Sequence, residues 1–345
     1  MRIAITLYSL DGGGAEFQMA LLAGGLHKRG HEVEFWLMAS SENERWASRW
    51  CRPLIRRARL LPGRLAYAGI LGSWRRALKR FRPHAVIGGL PLPHTLVSLA
   101  ATGLDIPVIG RRCASWGDLT VFPQHARMPR KLRAMRRLAA RGTAAMVCNA
   151  QHVLASARDL EGWPREKLRL IRNGWPESPA IDHENRLVAT AGRGRIEKDH
   201  EAHRRIMSGL PRLDGQPGTR QEHVFHYEAD VPWHNMGIYA HVSRSEGCSN
   251  AIGMAMAHGI PVVAYGTLGN LELLRDLPTV WPYEESLFRD RIHVLQSSRE
   301  LREILGVRGQ ELVRKRFGLD RMVEEWESLI DETATPRCPT CGQRP

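Results

Sequence analysis

Apolar and polar residues alternate along the chain in blocks that predict a repeated order of strand and helix. Apolar runs at 2–7 and 31–37 indicate strands, and the helical spacing at 15–29 between them ends at Gly30. Helical stretches also separate the further apolar runs at 84–89, 106–110, 144–148 and 168–171. Strands that alternate with helices are typical of a parallel sheet. The first half of the chain therefore predicts a doubly wound α/β domain.

The second half of the chain repeats this pattern after a turn. Asn173-Gly174, followed by Pro176 and Pro179, is a strong turn signal and marks a domain boundary. Beyond it we predict strands at 187–191, 223–226, 238–242 and 261–264, and helices near 199–210, 299–316 and 319–333. The interpretation is two Rossmann-like doubly wound domains, at 1–176 and 177–333, with C-terminal helices that cross the domains and a loose tail at 334–345.

Composition fits this two-domain interpretation. A chain of 345 residues, of which 43% are hydrophobic, can bury two cores. No apolar run is long enough for a transmembrane helix, and the first residues show no signal-peptide pattern. Six cysteines without a regular framework favour a reducing compartment. We therefore expect a cytoplasmic protein, with peripheral binding to the inner membrane face as a further expectation.

The positive charge is concentrated in the first half. The net charge is +14, and residues 1–176 carry 29 Lys and Arg against 11 Asp and Glu. No acidic residue occurs at 45–104 or at 119–158. Such a field attracts phosphates, anionic lipid surfaces or nucleic acid, although a solvated basic face would have the same composition. Trp46, Trp50 and Trp74 lie among the arginines of the first stretch, a pattern that suits a membrane surface or stacking on bases.

Three glycine-containing turns follow predicted strands and carry the candidate chemistry. Residues 245–264 indicate a turn with an exposed carboxylate at Glu246, a short helix and a buried strand. A carboxylate there can accept hydrogen bonds from a hydroxyl-rich ligand, and a helix N-terminus favours phosphate. The turn at 192–200 contains Arg193, Arg195 and Lys198, whose cations suit phosphate oxygens. The third turn, at 11–16, allows a ligand to approach the backbone.

The stretch from Glu246 to Val263 resembles the signature of family 4 glycosyltransferases, Glu-Gly-x-x-Asn-x-x-x-Glu-Ala-Met-Ala-x-Gly-x-Pro-Val-Val. The resemblance implies the GT-B fold, in which two Rossmann-like domains face a cleft. It also implies a retaining transfer of a sugar from a nucleotide-diphosphate donor. Met254 stands where the family has its second glutamate. A thioether cannot accept strong hydrogen bonds from ribose hydroxyls, so weaker donor binding or a different class of donor is expected.

The resemblance also assigns roles to residues. Arg193 and Lys198 correspond to the pair that binds the diphosphate, with Arg195 as the alternative, and Glu246 corresponds to the residue that contacts the donor sugar. Arg193, Lys198 and Glu246 are therefore the predicted catalytic residues. The predicted donor-binding set is Arg193, Lys198, Glu246, Asn250, Met254, Thr267, Gly269 and Asn270. On the acceptor side the resemblance indicates Gly13, Gly14, Glu16 and Arg112. We expect no metal site and no cofactor other than the nucleotide sugar as co-substrate.

The acceptor is left open by the sequence. The basic first half favours an acidic or membrane-surface acceptor such as a lipid-linked saccharide, and the same field would suit a modified base in nucleic acid. Only 47 residues separate Lys198 from Glu246, which predicts a shortened second domain, because relatives usually carry a further strand and helix there. Together with Met254, this loss also allows a non-catalytic subunit that binds a nucleotide or sugar.

Overall fold

A computed structural model describes residues 1–11, 13–39, 54–57, 66–115, 130–192, 198–210, 222–224, 231–275, 277–280 and 283–334. Its contacts divide the chain into two units. Unit 1 contains Met1–Arg172 together with the residues from Met322 onwards, and unit 2 contains Asn173–Arg321. The division predicted from the sequence placed the boundary after 176 and assigned 322–333 to the second domain.

Unit 1 is built on a parallel sheet in the order β3-β2-β1-β4-β5-β6-β7. Its strands are β1 Arg2–Leu7, β2 Glu32–Leu37, β3 Leu54–Arg57, β4 Ala85–Gly88, β5 Val108–Arg112, β6 Thr143–Cys148 and β7 Leu168–Leu170. Its helices are α1 Gly14–Lys28, α2 Ala66–Phe81, α3 Pro91–Ala100, α4 Arg130–Arg141 and α5 Gln151–Asp159. Strands β1 and β4 are mostly apolar because both faces of a parallel sheet are covered.

The core of unit 1 lies between this sheet and helices α2 and α3. Trp36 of β2 and Trp74 of α2 are fully buried there with aliphatic residues of β4 and α3. The rings of Trp36 and Phe81 meet edge to face at 6.2 Å. This packing explains the amphipathic pattern of α2, which buries its apolar face and exposes Arg76, Lys79 and Arg80.

Unit 2 has a smaller parallel sheet, in the order β12-β11-β10-β8-β9. Its strands are β8 Val188–Ala191, β9 Glu222–Val224, β10 Ile238–His241, β11 Val262–Tyr265 and β12 Thr279–Val280. Its helices are α6 His200–Ser208, α7 Asn250–Ala257, α8 Leu268–Leu274, α9 Glu285–Ser297 and α10 Arg299–Arg316. Aliphatic residues of β8, β10 and β11 form one core with α6 and α9 around Phe288.

The last helix, α11 Leu319–Ala334, begins in unit 2 and continues in unit 1. Within unit 1 it packs closely on α1, since a Cβ at Gly25 would lie 2.3 Å from a methyl carbon of Val323. Glu327 then accepts hydrogen bonds from Arg29 and His31 at 2.8 and 2.6 Å. The residues of α11 from Met322 onwards therefore complete unit 1.

The two parallel sheets confirm the α/β class predicted from the sequence. The predicted strands at 2–7 and 168–171 and the predicted helix at 299–316 agree closely with β1, β7 and α10. Strand β3 was missed, because Leu54-Ile55-Arg56-Arg57 was included in the basic stretch. No helix among the described residues is long and apolar enough to cross a membrane. The predicted tail was 334–345; Ala334 is the last residue of α11, and residues 335–345 lie outside the described residues.

Candidate functional site

The candidate donor site is at the carboxyl edge of the unit 2 sheet. Strands β8, β10 and β11 are adjacent and parallel, so the loops that follow them emerge at the same edge. Such an edge is the usual ligand-binding position in doubly wound sheets. Lys198 follows β8, Glu246 follows β10 and Thr267 follows β11. The topology therefore brings together three turns that are far apart in the sequence.

Glu246 lies at the centre of the candidate site, where it contacts Lys198 and His241. Its Oε1 accepts a hydrogen bond from Lys198 Nζ at 2.5 Å and one from His241 Nε2 at 2.9 Å. The side chain of Glu246 is only 11% exposed. Burial opposes its ionisation, but the charge of Lys198 and the hydrogen bond from His241 outweigh it and hold the pKa of Glu246 well below its usual range. Oε2 has no hydrogen-bond partner among the described residues. The residue therefore presents an ionised carboxylate with one oxygen available.

A second ion pair lies directly beside the first. Arg244 Nε donates to Asp199 Oδ2 at 2.6 Å, and Asp199 Oδ1 accepts from the amide of Ala202 and caps α6. Asp199 holds a left-handed φ of 43°, so its backbone conformation is itself unusual. Lys198 thus pairs with Glu246, and the next residue, Asp199, pairs with Arg244 in the loop that precedes Glu246. These two contacts fix the end of the basic turn next to the carboxylate.

His241 and Tyr239 lie beneath Glu246 in the core of unit 2. Both are on β10, and both are buried. Tyr239 Oη lies 3.2 Å from His241 Nδ1 and 3.0 Å from the carbonyl oxygen of Ala191 on β8. Burial lowers the pKa of His241, and the hydrogen bond from its ring to Glu246 only partly offsets that effect. The sequence did not identify either residue as part of the site.

The signature helix α7 starts beside the carboxylate with a polar cluster. Ser249 caps the helix, and its Oγ accepts from the amide of Ile252. Asn173 Nδ2 donates to the carbonyl of Cys248 at 3.0 Å and to Oδ1 of Asn250 at 3.3 Å. Asn250 is thereby oriented by a side chain from the start of unit 2. Met254 follows one turn later and is 4% exposed.

The turn after β11 packs against the Glu246 loop. Thr267 caps α8, and Asn270 Nδ2 donates to the carbonyl of Tyr265 at 2.8 Å. A Cβ at Gly269 would lie 2.2 Å from the carbonyl oxygen of Gly247, so only glycine allows this approach. Thr267, Gly269 and Asn270 therefore lie beside the same edge as Glu246. Arg193, and Arg195 with it, lies outside the described residues.

The acceptor-side candidates belong to unit 1. Gly13 precedes α1 in an extended conformation, and Gly14 begins that helix. Glu16 is in the first turn and is buried, and its Oε2 has no hydrogen-bond partner among the described residues. A buried carboxylate oxygen without a donor is costly, so Glu16 is well suited to receive one from a ligand or water.

Arg112 at the end of β5 is held by protein groups. Its Nε and Nη2 each lie 3.0 Å from Glu161 Oε2, and its guanidinium lies 6.0 Å from the centre of the Trp163 ring. Both charged side chains are buried. A buried pair of this kind satisfies the charge within the protein. The prediction that Arg112 contacts an acceptor remains untested.

No cluster of three or more His, Cys, Asp or Glu suited to a metal ion is present among the residues described above. Hydrogen-bond distances connect Tyr239, His241 and Glu246. The sequence indicated this network only through the position of His241, which lies near the end of a predicted strand and five residues before Glu246.

Comparisons with known proteins bear on the family and the fold. The family model of Glycosyltransferase Family 4 matches residues 12–177. HepE of Anabaena, solved in complex with UDP-glucose, shares the fold with a TM-score of 0.80 at 17% identity, over 96% of this chain and 100% of HepE. Residues 12–177 therefore match family 4 glycosyltransferases, and the chain as a whole has the GT-B fold.

Two other solved structures share this fold. Sucrose-phosphate synthase from Thermosynechococcus elongatus has a TM-score of 0.77 at 14% identity, over 96% of this chain and 98% of the synthase. WaaG, a glycosyltransferase involved in lipopolysaccharide biosynthesis, has a TM-score of 0.69 at 14% identity, over 95% and 99% of the two chains. Curated protein sequences gave no match. At these identities the structures establish the fold, and the chemistry depends on the residues of this chain.

Proposed function

We propose that the protein transfers a sugar from a nucleotide-diphosphate donor to an acidic or membrane-surface acceptor such as a lipid-linked saccharide, with retention of the anomeric configuration. The observation that carries this proposal is the ionised Glu246 beside Lys198 at the carboxyl edge of the unit 2 sheet. The UDP-glucose complex of HepE, a protein of the same fold, supports a nucleotide-sugar donor.

Each charged group has a distinct part in this scheme. Lys198 and Arg193 bind the diphosphate and stabilise the negative charge that develops on it as the sugar–phosphate bond breaks. Glu246 accepts hydrogen bonds from sugar hydroxyls through Oε2 and so orients the sugar for attack by the acceptor hydroxyl. Because Lys198 is paired with Glu246 in the free protein, its ammonium exchanges one anionic partner for another when the diphosphate binds.

No metal and no further cofactor enter this scheme. Cations and the backbone amides of the turn at 266–270 supply the charge compensation that a divalent ion supplies elsewhere. The donor site then consists of Arg193, Lys198, Glu246, Asn250, Met254, Thr267, Gly269 and Asn270.

The acceptor proposal rests on unit 1. The cationic side chains of Arg76, Lys79 and Arg80 on α2, and of Arg137 and Arg141 on α4, are exposed. Exposed cations of one sign attract an anionic lipid surface with an interaction that salt weakens. We therefore place the protein in the cytoplasm, where it would bind the inner membrane face peripherally.

The donor proposal is tested by a binding screen. UDP, GDP, ADP, CDP and TDP, with their common sugar conjugates, are measured by thermal shift and calorimetry on the wild type and on Lys198→Ala, Arg193→Ala and Glu246→Gln. We expect one nucleotide to raise the melting temperature of the wild type and to lose at least tenfold in affinity in both cation variants. Lys315→Ala, in which an exposed lysine of α10 is removed, is the matched control and should bind like the wild type.

The same screen separates the alternatives. If no nucleotide stabilises the wild type, the transferase proposal is wrong. If a nucleotide binds but no transfer occurs to any acceptor, the non-catalytic subunit is favoured, in line with Met254. With a bound donor in hand, activity that depends on anionic vesicles supports the lipid-linked acceptor. Activity on duplex DNA that falls steeply with salt supports a nucleic-acid acceptor instead.

A further inference from the structure

A buried histidine holds the carboxylate at the centre of the candidate site. His241 ends β10, and its Nε2 lies 2.9 Å from Oε1 of Glu246. An ionised carboxylate can only accept hydrogen bonds, so the proton of this bond belongs to Nε2. The contact therefore defines which nitrogen of the imidazole carries hydrogen and which oxygen of Glu246 is engaged.

The imidazole is itself held from its other side. Nδ1 lies 3.2 Å from Tyr239 Oη, and the Tyr239 and His241 rings stack at 5.8 Å with an angle of 29°. Because Nδ1 of this tautomer can only accept, the single hydroxyl hydrogen of Tyr239 holds the ring when it is donated to Nδ1, in competition with the carbonyl of Ala191 at 3.0 Å, while Oη accepts from the backbone N–H of Ala191. The Nδ1 side of the ring is therefore held by strands β8 and β10 and not by the loops at the sheet edge.

Lys198 and His241 hold Glu246 in different ways. Lysine is a point charge on a flexible four-carbon stem, whereas a histidine fixed at both nitrogens has one orientation. In the proposed reaction Lys198 turns to the diphosphate. Among the described residues, His241 is then the group that still donates to Glu246.

We propose that His241 is a positioning residue for Glu246: its Nε2–H fixes Oε1 and thereby aims Oε2 at the hydroxyls of the donor sugar. This inference rests on the proposed transferase function and extends it to a residue outside the charged loops. Tyr239 supports the same arrangement by holding Nδ1. His241 is thus expected to control recognition of the sugar and to have little influence on the diphosphate.

The electrostatics are consistent with this role. Among the described residues, Glu246, Lys198 and His200 act on His241 through their charge and Tyr239 faces its Nδ1, and burial keeps the pKa of His241 below its ordinary value. A neutral imidazole donates one directed hydrogen bond without neutralising the carboxylate. The negative charge of Glu246 then remains for the ligand hydroxyls, to which it binds more strongly than a neutral acceptor would.

The alternative is that His241 only fills space in the core of β10. His241→Gln and His241→Leu separate the two explanations, because glutamine can supply an N–H at a similar reach and leucine fills the space without a donor. Tyr239→Phe removes the group that holds Nδ1. His203→Leu replaces another fully buried histidine of unit 2, on α6, and serves as the control for loss of a core histidine.

The measurement is calorimetry with two ligands on each variant: the nucleotide sugar that stabilises the wild type, and its nucleoside diphosphate alone. We expect His241→Leu to bind the nucleotide sugar at least tenfold more weakly and the diphosphate within twofold of wild type. His241→Gln should recover to within threefold, Tyr239→Phe should be intermediate, and His203→Leu should match the wild type for both ligands.

The outcomes distinguish this inference from the function on which it rests. If His241→Leu binds both ligands like the wild type, or loses both equally, His241 does not position Glu246, while the donor site stands. If the wild type binds no nucleotide sugar, the proposed function is wrong and the inference fails with it. ¹⁵N spectra of the ligand-free protein provide the direct check, since a His241 with Nε2 unprotonated would also overturn the inference.

Discussion

Gly253 on α7 lies against the indole of Trp175: a Cβ at Gly253 would be 2.0 Å from Cε2 of that ring. Trp175 is fully buried, and its backbone pairs with the chain around Gly318 at the start of α11. The indole also meets Phe317 edge to face at 5.9 Å. The absence of a side chain at Gly253 therefore determines how closely the signature helix approaches the first residues of unit 2.

Substitutions at this contact should be coupled. Gly253→Ala should lower the free energy of unfolding by about 1–3 kcal/mol through overpacking, and Trp175→Leu should lower it by roughly 3 kcal/mol through the cavity that it leaves. In the double variant the alanine methyl occupies part of that cavity, so its loss should be smaller than the sum. Urea denaturation of the four proteins measures the coupling. Strictly additive losses would contradict the packing described.

The buried Arg302 should be important for the stability of unit 2. Its guanidinium donates to the carbonyls of Leu295 and Gln296 at the end of α9 and to the carbonyl of His183. Removal of the donors leaves buried carbonyls unsatisfied, so Arg302→Leu should cost about 3 kcal/mol. Arg302→Lys should recover only part of this free energy of unfolding, because an ammonium cannot donate to the same carbonyls in the planar geometry of a guanidinium.

Arg299 provides the matched control for Arg302 on the same helix. It pairs with Glu184, and both side chains are more than half exposed. Exposed pairs contribute about 0–1 kcal/mol, so Arg299→Ala should scarcely change the unfolding midpoint. Equal losses for Arg302→Leu and Arg299→Ala would show that the buried carbonyls do not depend on Arg302.

The contact of Glu327 with unit 1 should give a pH-dependent contribution to stability. The hydrogen bond from His31, with the one from Arg29, lowers the pKa of Glu327 below its ordinary 4.5. A carboxyl whose folded pKa is lowered stabilises the folded state above its ordinary pKa, and this stabilisation is lost as the pH falls below it. Glu327→Gln should therefore cost about 1 kcal/mol at pH 7 and progressively less below pH 4.5.

Glu324 is the natural control for that measurement. It contacts Arg29 at 3.1 Å from the same helix, but its side chain is 64% exposed against 24% for Glu327. Glu324→Gln should change stability little at any pH. Thermal unfolding at pH 7, 5, 4 and 3 measures both variants against the wild type. A loss of stability in Glu327→Gln that stays constant with pH would argue against a contact of the ionised carboxylate.

His258 should give a pH dependence in the neutral range. Its ring stacks on Trp233 at 6.1 Å, and burial lowers the pKa of His258 below 6.5 against the effect of a backbone contact at Pro179. Below pH 6.5 the unfolded chain therefore binds a proton that the folded protein excludes, so stability falls as the pH decreases. His258→Gln should reduce this slope by at most about 1.4 kcal/mol per pH unit. Denaturation midpoints between pH 7.5 and 5.5 test it, and an unchanged slope would refute it.

The repeated strand–helix pattern and the charged turns could be predicted from the sequence, because each depends on neighbouring residues. Strand β1 and helix α7 follow directly from apolar runs and glycine turns, and Lys198 and Glu246 each follow a predicted strand. Their meeting at one sheet edge is a consequence of parallel topology. The proximity of Lys198 and Glu246 could therefore be predicted from the fold class alone.

The contacts that hold the site could not be predicted in the same way. His241 reaches Glu246 across the end of a strand and a loop, whose path no local pattern fixes. Trp175 and Gly253 meet through packing between distant segments. Strand β3 was missed since only two apolar residues lie among its arginines, and its strand conformation comes with pairing to β2. Tertiary context decides such cases.

Met254→Glu tests how far the proposed donor site differs from the family 4 signature. Met254 is buried on α7, one turn beyond Asn250, so a carboxylate there loses hydration in the ligand-free protein. We expect the variant to have a lower melting temperature than the wild type without ligand. If the ribose position of the family is retained, the nucleotide sugar should then bind at least tenfold more tightly, because the two ribose hydroxyls can donate to the carboxylate.

Met256→Glu, at a fully buried position two residues further along α7, should share the loss of stability without the gain in binding. Tighter binding in both variants would indicate a nonspecific effect of charge, and no gain in Met254→Glu would mean that the ribose contact has been replaced in this protein.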